Sequence, residues 1–132
     1  MRQATLLVID DEPAIGTLVR RIGESCGYRV VDVADVDAFK QALKTVSPSV
    51  IALDLSMPRT DGVELMRYLA NAKYFAPILV ISGYGSGMVG TAVRFGEALG
   101  LNMAGVLKKP VRVAELRDLL QLLDQPDRPA AA

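Results

Sequence analysis

Asp10-Asp11-Glu12, Asp54, Ser82 and Lys108-Lys109 are the residues of this 132-residue chain whose types and placement could do chemistry. Each follows a short apolar run: Leu6 to Ile9, Val50 to Leu53, Ile78 to Ile81 and Ala104 to Leu107. Carboxylates crowded together raise one another's pKa and repel unless a cation sits among them, so an acidic cluster of this kind suits a hard divalent ion, Mg²⁺ or Mn²⁺. A metal, a carboxylate able to act as nucleophile, a hydroxyl and an ammonium form a kit for phosphoryl transfer, in which positioning and charge neutralisation supply nearly all the catalysis. Asp54 would attack phosphorus with the ion holding its oxygens against the phosphoryl group, Ser82 would donate a hydrogen bond, and one of the two lysines would pair with another phosphoryl oxygen. The sequence contains no histidine. It cannot supply a phosphohistidine, so the donor must be another protein or a small phosphorylated molecule.

For these residues to meet, the chain must bring the four run ends to one rim. The apolar runs resemble buried parallel strands, with Tyr28 to Val33 a more polar fifth suited to an edge. Between them the spacing predicts helices: Ile15, Leu18, Val19 and Ile22; Phe39, Ala42, Leu43 and Val46; Val63, Leu65, Met66 and Leu69. Two more are expected from about Met88 to Leu99 and from Val113 to Leu123. Five β-α repeats with short connections imply an α/β fold, a doubly wound five-stranded parallel sheet for which the order 2-1-3-4-5 is one common, flavodoxin-like solution. In such sheets the ligand crevice lies beyond the carboxyl ends of the strands, where the order reverses between the first and third.

The bulk numbers agree with one domain of residues 1–124, followed by a Pro-containing tail or linker at 125–132. Hydrophobic residues make up 51% of the chain, and fifteen basic residues balance fifteen acidic ones. No overall field would draw it to nucleic acid or an anionic membrane. The single cysteine, Cys26, permits no disulfide framework and is read as a small buried apolar residue. With no signal peptide or membrane span legible, a cytoplasmic setting is expected.

Each motif alone has a bland reading. Asp11 or Glu12 before Pro13 could cap a helix, Pro58 and Asp61-Gly62 are ordinary loop residues, a serine after a strand forms turns, and a lysine pair is commonly a solvated face. What the bland readings leave unexplained is their joint arrival at the correct strand ends in the correct order.

From Thr5 to about Leu123 the chain resembles a bacterial two-component response-regulator receiver domain of the CheY-like kind. Val8-Ile9-Asp10-Asp11-Glu12-Pro13 is similar to that family's acidic opening, and Asp54-Leu-Ser-Met-Pro58 with Asp61-Gly62 to its phosphorylation segment. Ser82 and Lys109-Pro110 match its strand-end hydroxyl and lysine-proline pair. The resemblance implies a phosphorylation-dependent signalling switch and not an enzyme acting on other substrates. Asp10 and Asp11 would serve the metal together with Asp54 and the backbone carbonyl of Ser56. Asp54 would be the phosphoacceptor, and Ser82 and Lys109 would read out the phosphoryl group. Lys109 is chosen over a solvated Lys108 because the following bond is commonly cis in the family, turning the side chain into the site. The implied partners are a histidine kinase or phosphotransfer protein as donor and an effector domain or protein as output, with homodimerisation as a further option and no direct nucleic-acid or membrane binding.

Three rival readings fit less well. A flavin-binding relative would want a hydroxyl- and glycine-rich loop where Asp-Asp-Glu-Pro would repel phosphate. A haloacid-dehalogenase-like phosphatase would carry a second aspartate at the position of Ser56. A degenerate receiver used only for docking would not need this full residue set.

Two features depart from the family pattern. Val106 stands where an aromatic switch residue is usual, with Tyr84 or Phe95 as candidate substitutes. The 109 − 82 = 27 positions from Ser82 to Lys109 are a few more than usual and carry Gly83, Gly85, Gly87, Gly90, Gly96 and Gly100, predicting a longer, looser loop and fourth helix. Ile81-Ser-Gly-Tyr84 and Ala104 to Pro110 also resemble receivers fused to EAL-type cyclic-di-GMP phosphodiesterase domains.

Overall fold

The computed structural model describes residues 3–57, 62–83 and 87–124, with the side chains of 87 and 88 excepted. Five strands, β1 (Thr5–Ile9), β2 (Arg29–Val33), β3 (Val50–Asp54), β4 (Ile78–Ser82) and β5 (Met103–Lys108), alternate with five helices. These are α1 (Pro13–Ser25), α2 (Val36–Thr45), α3 (Gly62–Asn71), α4 (Gly87–Ala98) and α5 (Val113–Leu123). All strand pairs are parallel and the order is β2-β1-β3-β4-β5, as the alternation predicts.

The burial of each strand explains its composition. β3 and β4 are buried at every residue and β1 at all but its first, which is why they read as unbroken apolar runs. β2 lies at the edge, where Arg29 and Asp32 can reach water. Successive side chains alternate between two cores. Leu6, Val8, Ala52, Leu79, Ile81 and Leu107 face α1 and α5, while Leu7, Ile9, Ile51, Leu53, Ile78 and Val80 face the opposite helices. Tyr28 spans the first core and donates its hydroxyl to the Leu120 carbonyl at 2.7 Å. Cys26 is half-buried against that core, less enclosed than expected, because it forms the exposed C-terminal cap of α1.

Helix ends show how local chemistry closes each unit. Asp35 caps α2 by accepting from the Ala38 amide at 2.8 Å. Glu12 caps α1 with its backbone only, ahead of Pro13 in the first turn, so its carboxylate is left for another use. α1 and α4 end in 6→1 closures around Gly27 (φ 89°) and Gly100 (φ 84°). α3 ends in the same way, with Tyr74 N donating to the Leu69 carbonyl at 2.9 Å, but the left-handed residue there is Lys73 (φ 58°). A β-carbon in that region costs about 1 kcal/mol relative to glycine. Lys73→Gly is therefore expected to raise stability by about 0.5–1 kcal/mol in urea denaturation, less the extra chain entropy glycine brings to the unfolded state.

Gly96 corrects part of the reading of α4. It is buried, and a methyl group built on it would lie 2.5 Å from Met103 Sδ, so here glycine permits α4 to approach β5 closely. Tyr84, Gly85, Pro58, Asp61 and the tail 125–132 lie outside the described residues. Among the described residues no helix is long and apolar enough to cross a membrane.

Candidate functional site

The register places the chemistry on one rim. Ile9 is level with Leu53 and Val33, Asp54 with Ile81, and Ser82 with Lys108, so the residues following β1, β3, β4 and β5 converge at the carboxyl edge. One carboxylate oxygen from each of Asp10, Asp11, Glu12 and Asp54 lies within 4.8 Å of the others. Asp10, Asp54 and Ser82 are the buried polar or charged residues of the described chain.

Asp54 is enclosed by hydrogen-bond donors. Its Oδ1 accepts from the Ser56 amide at 2.9 Å and from the Ser56 hydroxyl at 2.7 Å, while Oδ2 accepts from Lys109 Nζ at 3.1 Å. Lys109 Nζ also donates to Glu12 Oε1 at 2.5 Å and lies 3.8 Å from Asp10 Oδ2. One ammonium thus serves three carboxylates. Its own burial opposes the charge, but hydrogen bonds to Glu12 and Asp54 and the charges of Asp54 and Asp10 outweigh that, holding the ammonium above the ordinary lysine range. Lys108, in contrast, is exposed.

Asp10 is the strained member. Burial, reinforced by the charge of Asp54, pushes its carboxyl up to about 6 against the opposing effects of the Glu12 amide and Lys109. Oδ1 accepts from the Glu12 amide at 2.7 Å. Oδ2 is buried and accepts no hydrogen bond among the described residues. A buried carboxylate oxygen without a donor, facing three further carboxylates, fits a hard cation with oxygen ligands.

The structure brings Asp10, Asp11, Asp54, Ser56 and Lys109 together and sets Ser82 on the same rim. Ser82 Oγ bonds the Gly83 carbonyl at 3.2 Å, and its own carbonyl accepts from Lys109 N at 2.8 Å, which ties β4 to the segment carrying the lysine. The Lys109–Pro110 bond is cis. Two partners were not singled out by sequence reasoning. Glu12 engages Lys109, which is 97 positions away, and only its place in the acidic run hinted at a role. The Ser56 hydroxyl, as distinct from its carbonyl, donates to the same Asp54 oxygen that accepts from the Ser56 amide in a local Asx-type turn. Val106 lines an open hollow of about 360 Å³ with Lys108, Arg112 and Glu115. Phe95 is engaged elsewhere, with the Arg67 guanidinium 5.5 Å from its ring centroid.

Known proteins are similar to this chain in sequence and fold. Residues 6–121 match the family model described as the response regulator receiver domain. The chain is 31% identical over 126 residues to the transcriptional regulatory protein FixJ of Bradyrhizobium diazoefficiens, covering 96% of this chain and 59% of that protein. It is 33% identical over 131 residues to protein-glutamate methylesterase/protein-glutamine glutaminase 2 of Burkholderia thailandensis, covering 96% and 36%. These relatives are longer proteins, of which the chain spans less than two thirds. Among solved structures it is similar to the chemotaxis response regulator CheY4 of Vibrio cholerae, with a TM-score of 0.76, 27% identity, and coverage of 92% of this chain and 99% of that one. With the family match spanning nearly all of the sheet and its helices, the chain belongs to the response regulator receiver domain family.

Proposed function

We propose that this chain is a phosphorylation-dependent switch of a two-component system, with Asp54 as the phosphoacceptor. The observation that carries the reading is the buried Asp54 carboxylate held between Ser56 and Lys109 beside the orphaned oxygen of Asp10. Asp10, Asp11, Asp54 and the Ser56 carbonyl would hold Mg²⁺ or Mn²⁺, which when bound supplies charge neutralisation for the transferring phosphoryl group. Lys109 and Ser56 cover Asp54, so both must give way for a phosphoryl donor to reach it. Lys109 leaves Glu12 and pairs with a phosphoryl oxygen, and the Ser82 hydroxyl leaves the Gly83 carbonyl to donate to another. These exchanges shift β4 against the segment after β5 and bias the surface around them between two arrangements.

A histidine kinase or phosphotransfer protein in the cytoplasm would be the donor, and the output a changed protein interface, with an effector domain, a separate protein or a second copy as receiver of the signal. An EAL-type effector is one such output, supported by the resemblance of Ile81 to Tyr84 and Ala104 to Pro110 alone. The chain would do no chemistry beyond gaining and losing its own phosphoryl group.

Intact-mass spectrometry after incubation with acetyl phosphate tests the reading. A gain of about 80 Da is expected in the wild-type chain with Mg²⁺, and neither in Asp54→Ala nor with excess chelator. Equal labelling of Asp54→Ala would move the site elsewhere. No labelling of folded, metal-loaded wild type would leave a docking module without phosphoryl chemistry.

A further inference from the structure

On the sheet face opposite α1 and α5, α3 packs against α4, while α2 and α3 meet through Lys40 and Tyr68 and leave open space along their boundary. Two hollows of about 200 and 270 Å³ lie between them and share the wall of Tyr68. Together they form one groove. It begins at Val36 and Glu64, in the first turns of α2 and α3 at the rim that carries Asp54, and ends at Pro48 and Tyr74. α2 has ten residues, so the groove runs along about 15 Å of helix.

The groove's walls are apolar and its borders basic. Lys40, Lys44 and Lys73 line it against one acid, Glu64. Among the described residues none of the three lysines lies within ion-pair distance of a carboxylate. Lys40 Nζ rests 4.8 Å over the Tyr68 ring, which orients the charge without neutralising it. Lys73 occupies the left-handed position where glycine would be cheaper, and thereby sets a further ammonium at the groove's end. Just past Tyr74, Phe75 is 55% exposed.

We propose that the α2–α3 groove is a second docking surface, independent of Asp54 chemistry, for an acidic protein segment bearing an apolar anchor. Unneutralised lysines call for carboxylates, and the Leu43–Tyr68–Tyr74 wall calls for a side chain to bury. Three cations are few for a phosphate backbone, and the apolar wall would be wasted on one. Because the groove starts at the switch rim, a segment bound there begins at the sheet edge that carries Asp54.

The test uses the ¹⁵N-labelled full chain and an acetylated, amidated nonapeptide, Glu-Asp-Leu-Glu-Glu-Leu-Asp-Glu-Phe, followed by amide chemical shifts. Saturable shifts confined to α2, α3 and the segment after α3 are expected, weakening severalfold as salt is raised. Lys40→Glu combined with Lys44→Glu should weaken binding at least tenfold. Lys73→Gly should weaken it a few-fold while making the chain more stable, so that loss of binding cannot be ascribed to unfolding. The proposal is overturned if shifts centre on β5 and α5, if neither variant changes the affinity, or if a peptide with lysine at each acidic position binds equally. Shifts that appear on concentrating the chain without peptide would assign the groove to a second copy instead. Tighter binding of a single-stranded oligonucleotide at the same lysines would also overturn it. Asp54→Ala should leave peptide binding unchanged, which separates failure here from failure of the phosphoacceptor reading.

Discussion

Lys109→Met is expected to lower stability in chelator by about 2–4 kcal/mol at pH 8, a little under the roughly 3–5 kcal/mol for breaking a fully buried pair, because the Lys109 side chain keeps some exposure. Lys109 is the cation that reaches Asp10, Glu12 and Asp54 together, and its side chain is itself largely enclosed. Without it the buried charges of Asp10 and Asp54 face each other with no ammonium between them. The loss should depend on pH in a defined direction. Removing the ammonium takes away one of the influences that hold the Asp10 carboxyl down, so its folded-state pKa rises above the present value of about 6. A carboxyl raised in the folded state binds its proton more tightly there than in the unfolded chain, and stability then falls as pH rises through the window between the two values. The deficit should therefore be largest at pH 8 and shrink on acidification toward pH 4, where Asp10 is protonated in the folded state and its charge no longer needs the ammonium. Urea denaturation at several pH values reads this directly. A deficit that does not change with pH would mean that Lys109 contributes through packing and not through charge.

Asp10→Asn should act with the opposite sign on the metal-free protein and strongly weaken the Mg²⁺ binding proposed above. The wild-type carboxyl is raised from 3.8 to about 6, with burial the largest cause. Its contribution to stability becomes unfavourable as pH rises from about 4 to about 6, so the gain from the amide should grow through that window and be largest above it. A two-unit shift corresponds to at most about 3 kcal/mol, and part of that is returned by the Lys109 contact the amide loses. A net gain of about 1–2 kcal/mol is expected, raising the melting temperature by several degrees. Titration calorimetry should show Mg²⁺ binding at least a hundredfold weaker, because the orphaned oxygen and its charge are both altered. A destabilised Asp10→Asn protein at pH 8 would contradict the account of strain at this residue. Unchanged Mg²⁺ affinity would remove Asp10 from the metal site.

The two substitutions describe one design from opposite sides. Asp10 is kept as a buried carboxylate at a cost to the fold, and Lys109 is the internal cation that limits this cost. Glu12, free because α1 begins with Pro13 and needs no side-chain cap, draws the same ammonium toward the surface. Lys109 alone gathers the cluster's carboxylates here, and under the proposed function a metal ion would share that role at a site whose charge must change.

Much of this was legible in the linear sequence because its physical causes are local. Strands buried on both faces must be apolar throughout, so β1, β3 and β4 stand out as runs, and each run ends where a polar group appears, marking the rim. The polar content of Tyr28 to Val33 assigned that run to an edge for the same reason, and the strand there is Arg29–Val33. The helical stripes followed from a 3.6-residue period, with boundaries differing by a residue or so: α4 begins at Gly87 instead of Met88, and β5 at Met103 instead of Ala104.

Contacts between distant residues were decided only by the tertiary structure. Nothing near Glu12 in the chain announces Lys109, since their meeting depends on β1 and β5 both ending at one edge of a sheet whose order is not the chain order. Composition suggested that Gly96 loosens α4, whereas packing makes it a point of close approach to Met103, because a missing side chain lowers rigidity in isolation and lowers separation against a neighbour. The orphaned oxygen of Asp10 and the lysine-bordered groove between α2 and α3 belong to the same class. Local sequence sets which residues are charged or apolar, but enclosure depends on what the rest of the chain lays over them, and enclosure decides whether a charge is strained, paired or left facing outward.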